Sequence, residues 1–584
     1  MQIGVSSSHL YSPSGGGFSA VYWHVHGLQQ LGHTVDVYHM YKPHPMVLNN
    51  WRSIFGNATL ARYQAGVEKN YEVFIGVDHF QHIQPLAQLS MQHVFFPHID
   101  EAPAKETRLY ANSKYTADHI RHKWNRDCEV MYIPIKGIYN PLRKEQLILH
   151  VSRITEPSAW ADKAHRQMIS VFKMYQRELP GWQLVIAGAL DPQQEDYFNE
   201  LTLWCAGANI SFLMNPSDQE LADLYGKASF YWHATGVSLP HIPSAQEHLG
   251  LAPLEASAAG AVPVVFNSGG MPEVVINGQT GVLFDDPRQM GQFTVKMTQN
   301  WSIWSTLMQQ GLRWSRKWQD FPAFKMRLIK MLAGLPIEPE LPDYEIEVPP
   351  IANVTAVIPT WNNNEMLHKC LESIVGTAPQ LKVLIINNGE TLPDWNFGEN
   401  VMVYNAGENL GFAGAHRKAE ELVDTPLVLM LNDDVEATSE GWLQQMLYEF
   451  RDKDVAAVTA KLLFPNGTLQ HAGGMIDWNR NDIGYHRFYM EQDGPWASQV
   501  EEVAFGTGAC LLLERKFYHM PQELIGGLYF EDTWICGIIR EAKKKIIYQP
   551  GACLIHYEGV TRTRSEQSLE LIERNKRVFT ERWS

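Results

Sequence analysis

Short apolar runs alternate with amphipathic stretches along almost the entire chain. Such runs include QIGVSS, VFIGVD, LILHVSR and VPVVFN before residue 335, and VTAVIPT, KVLIINN and LVLMLND after residue 352. Apolar runs of about four to eight residues predict buried strands, and the amphipathic stretches between them predict helices. Strands that alternate with helices indicate parallel sheets covered by helices. The pattern therefore predicts an α/β fold class both before residue 335 and after residue 352.

The segment that separates these two parts of the chain has a different composition. The stretch LPIEPELPDYEIEVPPIANV, residues 335–354, contains five prolines among acidic residues. Proline-rich segments resist helix and sheet and form stiff, extended spacers. A chain of 584 residues is also too long for a single core. We therefore expect a proline-rich linker over residues 335–352 at the main domain boundary.

Charge and cysteine content narrow the classes of protein that fit. A net charge of −16 disfavours a protein whose main task is to bind nucleic acid or an anionic membrane. The 6 cysteines form no CxxC pair, which argues against a zinc or disulfide framework and fits a reducing compartment. The start of the chain lacks the pattern of a signal peptide, and no apolar run approaches the ~20 residues of a membrane span. These features predict a cytoplasmic protein without a transmembrane segment.

Two features of the first half are suited to bind a diphosphate. Gly15–Gly17 follow the first predicted strand and open a helix predicted over Phe18–Leu31. Glycines allow backbone amides to approach an anion at the N-terminus of a helix. Arg153 ends a predicted strand and Lys163 precedes a helix, so both cations could contact the same anion. Tight packing of the glycines and solvent exposure of the basic side chains are the alternative interpretations.

A pair of acidic residues stands in the segment QEHLGLAPLEASAAGAVPVVFNSGGMPE. Glu247 and Glu255 are separated by seven residues, around a Gly-Leu-Ala-Pro turn that precedes a helix of small residues. From the loop, Glu247 can reach a sugar hydroxyl. From the helix, Glu255 can accept hydrogen bonds from two ribose hydroxyls.

Taken in order, these motifs resemble the retaining family 4 glycosyltransferases of the GT-B fold, over roughly residues 1–330. ANSKYTADHI at 111–120 and the GGMPE turn belong to the same set. The resemblance implies two Rossmann-like domains, an acceptor domain over 1–144 and a donor domain over 145–334. It also implies that Gly16, Gly17, Arg153 and Lys163 bind the donor's diphosphate, that Glu255 binds the ribose, and that Glu247 and His98 act beside the transferred sugar. For His98, a purely structural role is the alternative.

In the second half, the apolar run VLML leads directly into Asn432, Asp433 and Asp434. A buried strand that ends in a polar turn is one interpretation, and an edge that holds a divalent cation is the other, since hard cations take oxygen ligands. Thr360 and Asn362 follow an earlier strand, at the end of the strand where α/β sheets bind ligands.

This half, residues 353–584, resembles the inverting family 2 glycosyltransferases of the GT-A fold, and their rhamnosyltransferase-like members in particular. The resemblance rests on NLGFAGA, the Asn-Asp-Asp motif, PNGTLQHAGGMID, FGTGACLLLERKFY, LYFEDTWICGIIR and CLIHYEGVTRTRS. It implies that Asp434 and His556 hold Mn²⁺ or Mg²⁺ and that Asp532 is the general base. It further implies a set of donor-binding residues, which comprises Thr360, Asn362, Asn388, Asp433 and Arg562, the last aided by Arg564. A solvated loop is the alternative for the two arginines.

Two departures from the family pattern concern the base and the acceptor. The acid-Asn-Gly that usually follows the second strand is here Asn387-Asn388-Gly389, and Trp534 stands where a second acid usually follows Asp532. The first departure weakens any assignment of the nucleotide base. The second suggests that the contacts to the acceptor differ from those of the family.

We therefore expect a bifunctional glycosyltransferase, in which a retaining GT-B module precedes an inverting, metal-dependent GT-A module. Its donors would be nucleotide-sugars, linked to UDP or dTDP, and its acceptor a glycan or another hydroxyl compound. One alternative is a single active domain joined to a degenerate domain that binds glycan or serves as a scaffold. A hydroxylated base in DNA is another candidate acceptor, which the acidic charge and the absence of a DNA-reading motif disfavour.

Overall fold

The computed structural model describes residues 1–10, 15–77, 82–137, 139–158, 162–337, 348–478, 484–524, 530–557 and 566–583. Contacts divide the chain into two units. The first comprises Met1–Gln299 with Leu307–Asp343, and the second comprises Asn300–Thr306 with Tyr344–Ser584. One division falls inside the proline-rich interval. Residues 300–306, which include the start of a helix over Trp301–Trp318, group with the second unit. The finer boundaries, at 144/145, 334/335 and 352/353, stay a prediction.

The first unit begins with a parallel sheet whose strand order is β3-β2-β1-β4-β5-β6-β7. Its elements are β1 Gln2–Ser7, α1 Gly16–Gln30, β2 Thr34–His39, α2 Pro45–Asn49, α3 Trp51–Phe55, β3 Thr59–Arg62, β4 Val73–Val77, β5 Leu89–Val94, β6 Arg108–Ala111, α4 Lys114–Trp124 and β7 Glu129–Val130.

A second parallel sheet in the same unit has the order β10-β9-β8-β11-β12-β13. Its elements are β8 Glu145–Val151, α5 His165–Tyr175, β9 Gln183–Gly188, α6 Glu195–Trp204, β10 Ile210–Met214, α7 Asp218–Lys227, β11 Ala228–His233, α8 Leu251–Ala258, β12 Val262–Phe266, α9 Met271–Val274, β13 Val282–Phe284, α10 Pro287–Thr298, α11 Trp301–Trp318 and α12 Phe321–Ala333.

Both sheets of the first unit have the strand order of a Rossmann fold. Strands such as β4 and β12 are buried along their whole length, as expected of parallel strands with helices on both faces. The last helix, α12, returns to the first sheet, where Phe324 and Leu328 pack in the core formed by β1 and α1. Helix α1 begins two residues earlier than predicted, because Gly15, with a φ of 97°, turns the chain directly into Gly16.

The second unit contains a mixed sheet whose main path is β16-β15-β14-β17-β24-β19-β25-β18. Strands β14 to β17 are parallel, and β24 runs antiparallel between β17 and β19. Its elements are β14 Val354–Thr360, α13 Asn364–Thr377, β15 Lys382–Asn387, β16 Val401–Asn405, α14 Gly411–Leu422, β17 Leu427–Leu431, β18 Val435–Ala437, α15 Trp442–Glu449, β19 Val455–Leu463, β20 Leu469–His471, β21 Gly474–Ile476, β22 Gly484–His486, β23 Glu501–Glu502, β24 Cys510–Glu514, α16 Glu531–Glu541, β25 Lys545–His556 and α17 Glu566–Trp583.

None of the helices in the described part of the chain combines the length and the apolar character that a membrane span requires.

Candidate active sites

The strand order reverses between β8 and β11 in the second sheet and between β14 and β17 in the third. The chain leaves two neighbouring strands in opposite directions there, so a crevice opens between their loops. Open α/β sheets bind ligands in this crevice, at the carboxyl ends of the strands. Residues of both predicted sites lie at these two positions.

Glu247 lies at the first reversal, close to the end of β11. Its Oε2 is 3.0 Å from the Nζ of Lys163 and 3.4 Å from the Nε2 of His233, the last residue of β11. Burial alone would raise the pKa of the Glu247 carboxyl, but the Lys163 ammonium and the His233 ring hold that pKa well below its usual value. The carboxylate is therefore ionised, accepts a hydrogen bond from Lys163 and lies beside the His233 ring.

The start of the loop between β8 and α5 is anchored by partly buried hydrogen bonds. Ser152 Oγ lies 2.8 Å from the Nε2 of His150 and 2.9 Å from the Nε2 of His165. Burial lowers the pKa of His165 to about 3, so this ring is neutral at physiological pH. The anchored segment leaves Arg153 exposed directly after the end of β8.

The glycine turn before α1 lies against helix α8. A Cβ added to Gly17 would overlap the His9 ring, and one added to Gly16 would stand 3.9 Å from the Cδ1 of Leu251, the first residue of α8. A larger residue at position 17 would therefore clash. The first turns of the two helices approach each other, and the N-termini of helices attract anions.

His98 belongs to a cluster of aromatic rings in the first unit. Its ring centroid is 5.1 Å from that of Phe96 and 6.0 Å from that of His248, which follows Glu247 in the chain. Phe96 and His248 stack at 4.4 Å. The structure thus brings His98 close to the loop that carries Glu247.

Glu255 lies on α8 with its carboxylate against a tyrosine. The hydroxyl of Tyr225 donates to Oε2 at 3.2 Å. Burial raises the pKa of Glu255 to about 7, against the opposing effect of Lys136. The ionised carboxylate is consequently held at a cost in stability, as is common for residues retained for binding.

We expect Glu255→Gln to stabilise the first unit in a pH-dependent manner. The folded-state pKa of about 7 lies above the ordinary value of 4.5, so the cost of ionisation is absent below about pH 4.5 and complete above about pH 7. The free energy of unfolding should rise by up to about 3 kcal/mol at about pH 8 and by little at about pH 4.5. Urea unfolding at both pH values measures the difference. Glu178→Gln, at an exposed position of the same unit, is the control, and equal effects of Glu255→Gln at the two pH values would contradict the assignment.

Glu273, in the GGMPE turn, links the two sheets of the first unit. Its carboxylate accepts the backbone N–H groups of Lys114 and Tyr115 at 2.8 and 2.9 Å, at the start of α4, and the hydroxyl of Tyr132 at 2.7 Å. The same turn is tied to the neighbouring site, because the N–H of Gly270 donates to the carbonyl of Glu247 at 2.8 Å. The position of the Glu247 loop therefore depends on how the two sheets are joined.

Thr360 and Asp433 meet at the second reversal. Val357 of β14 pairs with Met430 of β17, and three positions further on stand Thr360, the last residue of β14, and Asp433, just beyond the end of β17. The Thr360 hydroxyl donates to Asp433 Oδ2 at 2.7 Å. Burial raises the pKa of Asp433 to about 6, and the hydrogen bond from Thr360 opposes this rise.

Asp434 and His556 are joined by the sheet itself. Val435 of β18 pairs with His556 at the end of β25, and this pairing leaves Asp434 Oδ1 at 3.0 Å from His556 Nε2. Both side chains are less than one-tenth exposed. The Nδ1 of His556 lies 2.7 Å from the Oε1 of Gln470.

Asp532 lies in the first turn of α16. Its Oδ2 accepts the N–H of Gly508 at 2.8 Å, and its Oδ1 accepts the N–H of Thr533 at 2.6 Å. The neighbouring carbonyl of Ala509 accepts the N–H of Asn432 at 3.2 Å. Consecutive residues of the FGTGA segment thus connect Asp532 to the Asn-Asp-Asp motif.

The asparagines predicted to bind the donor occupy different environments. Asn362 is exposed, with a φ of 50°, and its Oδ1 accepts the N–H of Glu390 at 2.8 Å. Asn388 is buried beside the end of β14, where its N–H donates to the carbonyl of Thr360 at 2.9 Å. Asn387 bonds to Asn405 and to the carbonyl of Glu390, which gives the first departure from the family pattern a structural role.

Trp534, the second departure, packs away from the site residues. It is buried against α17, with its ring 4.5 Å from that of Trp583 and 6.5 Å from that of Phe579. The tryptophan thus belongs to the contact that attaches α17 to α16. Arg562 and Arg564 lie outside the described residues.

The Asp434–His556 pair has the properties of a partial metal site. No group of three or more His, Cys, Asp or Glu side chains suited to a metal ion occurs among the residues that the structure describes. Mg²⁺, however, is commonly held by one or two protein ligands together with substrate phosphates and water. Two ligands in adjacent positions of an octahedron, each about 2.1 Å from the metal, are about 3.0 Å apart. The separation of Asp434 Oδ1 and His556 Nε2 fits this geometry.

Each half of the chain matches a family model. Residues 135–300 match the model described as "Glycosyl transferases group 1", and residues 355–519 match "Glycosyl transferase family 2". The chain carries two glycosyltransferase domains. We call the two units the group 1 unit and the family 2 unit. The predicted α/β fold class is confirmed, with the GT-B and GT-A halves in the predicted order. The group 1 unit has two parallel sheets, and the sheet of the family 2 unit is mixed, with β14 to β17 parallel and β24 antiparallel.

Curated relatives match parts of the chain. An uncharacterized protein, y4gI, of Sinorhizobium fredii is 26% identical over 230 residues, which are 36% of this chain and 25% of the relative. The O-antigen biosynthesis protein RfbC of Myxococcus xanthus is 23% identical over 231 residues, 36% of this chain and 18% of the relative. A GDP-mannose:cellobiosyl-diphosphopolyprenol alpha-mannosyltransferase of Komagataeibacter xylinus is 29% identical over 118 residues, 20% of this chain and 27% of the relative. The chain spans about a quarter or less of the length of these relatives.

Solved structures share a lower sequence identity with the chain than the curated relatives do. HepE of Anabaena, in complex with UDP and glucose, has a TM-score of 0.46 at 13% identity, over 57% of this chain and 100% of its own. WaaG, a glycosyltransferase involved in lipopolysaccharide biosynthesis, has a TM-score of 0.43 at 13% identity with the same coverage. A likeness at this level decides neither fold nor function.

Residues that the sequence motifs did not reveal complete both sites. His233 contacts Glu247 in the group 1 unit, and Gln470 contacts His556 in the family 2 unit. A signal existed for His233, because it ends a strand beside the reversal of strand order. Gln470 lies within a quoted family motif, but its partner is 86 positions away and only the folded sheet brings them together.

Proposed function

We propose that the chain is a bifunctional glycosyltransferase with a retaining site in the group 1 unit and an inverting, metal-dependent site in the family 2 unit. Nucleotide-sugars, linked to UDP or dTDP, are the donors, and a glycan or another hydroxyl compound is the acceptor. The observation that carries the proposal is the contact of Asp434 with His556 at the strand-order reversal of a family 2 domain. The charged Glu247–Lys163 pair at the equivalent position of the group 1 unit supports the second site.

In the group 1 unit, the ionised Glu247 accepts hydrogen bonds from hydroxyls of the donor sugar, and His98 lies beside the transferred sugar. Arg153, Lys163 and the amides of Gly16 and Gly17 bind the diphosphate. Lys163 already lies 3.0 Å from Glu247, so a single ammonium can contact both the carboxylate and an incoming phosphate. Glu255 binds the ribose.

In the family 2 unit, an acceptor hydroxyl attacks C1 of the donor sugar. The new O–C1 bond forms as the bond from C1 to the phosphate oxygen breaks, the nucleoside diphosphate leaves, and the hydroxyl proton passes to the Asp532 carboxylate. The N–H groups of Gly508 and Thr533 hold that carboxylate in one orientation.

Asp434 and His556 would hold Mn²⁺ or Mg²⁺, which stabilises the charge on the leaving diphosphate as a Lewis acid. Asp433, oriented by Thr360, adds negative charge beside the cation. Asn362 and Asn388 line the donor side of the same crevice, with Arg562 as a further candidate for the diphosphate.

Replacement of Glu247 tests the group 1 site. We expect Glu247→Gln to lower kcat/KM of the metal-independent transfer by about 10–100-fold, because charged hydrogen bonds contribute about 1.5–3 kcal/mol. Release of nucleotide from a panel of sugar nucleotides measures the effect, and the metal-dependent activity of the same preparation is the internal control. An unchanged metal-independent rate would contradict the role of Glu247.

A further inference from the structure

The imidazole of His556 lies between two oxygen atoms. Its Nδ1 is 2.7 Å from the amide oxygen of Gln470, and its Nε2 is 3.0 Å from Oδ1 of Asp434. The amide nitrogen of Asn432 is 3.3 Å from the same Nε2. His556, Gln470 and Asp434 are all buried.

The contact with Gln470 requires hydrogen on Nδ1 of His556. An amide oxygen can only accept a hydrogen bond, so Nδ1 is the donor to Gln470. With Nδ1 engaged by Gln470, Nε2 is the ring nitrogen that faces Asp434 Oδ1, at 3.0 Å, and that would coordinate a cation shared with it.

Strand β20, which carries Gln470, is held in the sheet through the next residue, His471. His471 pairs with Leu462 in the β19–β20 ladder. The ring of His471 contacts the hydroxyl of Thr459 at 3.1 Å and Nδ1 of His486 at 2.9 Å. The backbone next to Gln470 is therefore held by the sheet.

We propose that Gln470 is a positioning residue, which fixes the Nδ1–H tautomer of His556 and so directs Nε2 towards a divalent cation shared with Asp434. This inference rests on the proposed metal role of Asp434 and His556. Groups that accept a hydrogen bond from the second nitrogen of a histidine ligand fix its tautomer and orientation, and their loss typically weakens metal binding by about 10–100-fold.

The test is a titration of the full chain with Mn²⁺ alone, in which electron paramagnetic resonance measures the free ion. Asp434→Asn defines binding elsewhere on the acidic surface. Gln470→Met removes the acceptor and retains the length of the side chain, and it should weaken the site by about 10–100-fold. Gln470→Glu retains an acceptor for Nδ1–H and should bind Mn²⁺ within about threefold of wild type.

A buried glutamine elsewhere in the family 2 unit provides the matched control. Gln549 lies on β25, the strand of His556, where its Oε1 accepts the N–H of Gly551 and its Nε2 donates to Glu449. Gln549→Met removes a buried amide of the same kind without contact to either proposed ligand. Its Mn²⁺ affinity should equal that of wild type.

The outcomes separate this inference from the proposed metal site. If His556→Asn weakens Mn²⁺ binding while Gln470→Met does not, the positioning role is wrong and the metal site stands. If His556→Asn has no effect, the proposed metal site itself is wrong. Equal losses in Gln470→Met and Gln470→Glu would also overturn the positioning role, because the acceptor would then be irrelevant. Should Gln470→Met fail to fold, Gln470→Asn, which withdraws the acceptor by one methylene, replaces it and should bind Mn²⁺ more weakly than Gln470→Glu.

Discussion

Replacing Asp532 with asparagine is expected to lower kcat of the metal-dependent transfer by about 10²–10⁴-fold, the usual contribution of a general base. Asparagine cannot take the proton of the acceptor hydroxyl, but its amide oxygen can still accept one of the N–H groups that now bond to Asp532. Donor binding and Mn²⁺ affinity should therefore change little. Initial rates at saturating donor and acceptor measure the effect.

Two comparisons make the Asp532 prediction specific. Glu541→Gln removes a carboxylate from the other end of α16, where Glu541 pairs with Arg582, and should leave the rate unchanged. The metal-independent activity of Asp532→Asn should equal that of wild type. A loss below tenfold, with folding intact, would show that another group takes the proton.

Replacing Asp434 with asparagine should abolish most of the metal-dependent transfer. A Lewis acid at the leaving group contributes several kcal/mol, so the rate should fall on the order of 10²–10³-fold. The reason is local: Asp434 is one of two side chains at the proposed site, and its partner His556 cannot replace the lost negative charge. Rates measured over a range of Mn²⁺ concentrations distinguish weaker metal binding from loss of chemistry.

The matched variant is Asp452→Asn, which makes the same chemical change at an ion pair with Lys545 in the same unit. It should affect neither rate nor Mn²⁺ dependence. If Asp434→Asn kept a rate with the Mn²⁺ dependence of wild type, the cation would be held by other residues.

The residues that could be predicted from the sequence are those whose chemistry is local. An apolar run that ends in Asp433 and Asp434 indicates a strand end with carboxylates, whatever the rest of the chain does. The positions of Glu247 and Glu255 likewise depend on one turn and the helix that follows it. Parallel sheets followed from the alternation of strands and helices.

The contacts that complete the sites depend on distant parts of the chain. His556 reaches Asp434 only because β25 pairs with β18, and its contact with Gln470 depends on the placement of β20. Glu273 bonds to the start of α4 from 159 positions away. Trp534, which stands where the family has a second acid, packs against α17, and only the folded structure shows this contact. The spacing of residues along the sequence does not indicate which distant residues pair in this way.

The central claim, two working sites in one chain, is tested most directly by nucleotide release from a panel of sugar nucleotides, with and without Mn²⁺. Wild type, Glu247→Gln and Asp434→Asn are measured side by side. We predict two donors: turnover of one requires Mn²⁺ and is lost in Asp434→Asn, and turnover of the other is independent of Mn²⁺ and falls in Glu247→Gln. A single donor that responds to one substitution alone would contradict the claim and make the other unit a binding or scaffold module.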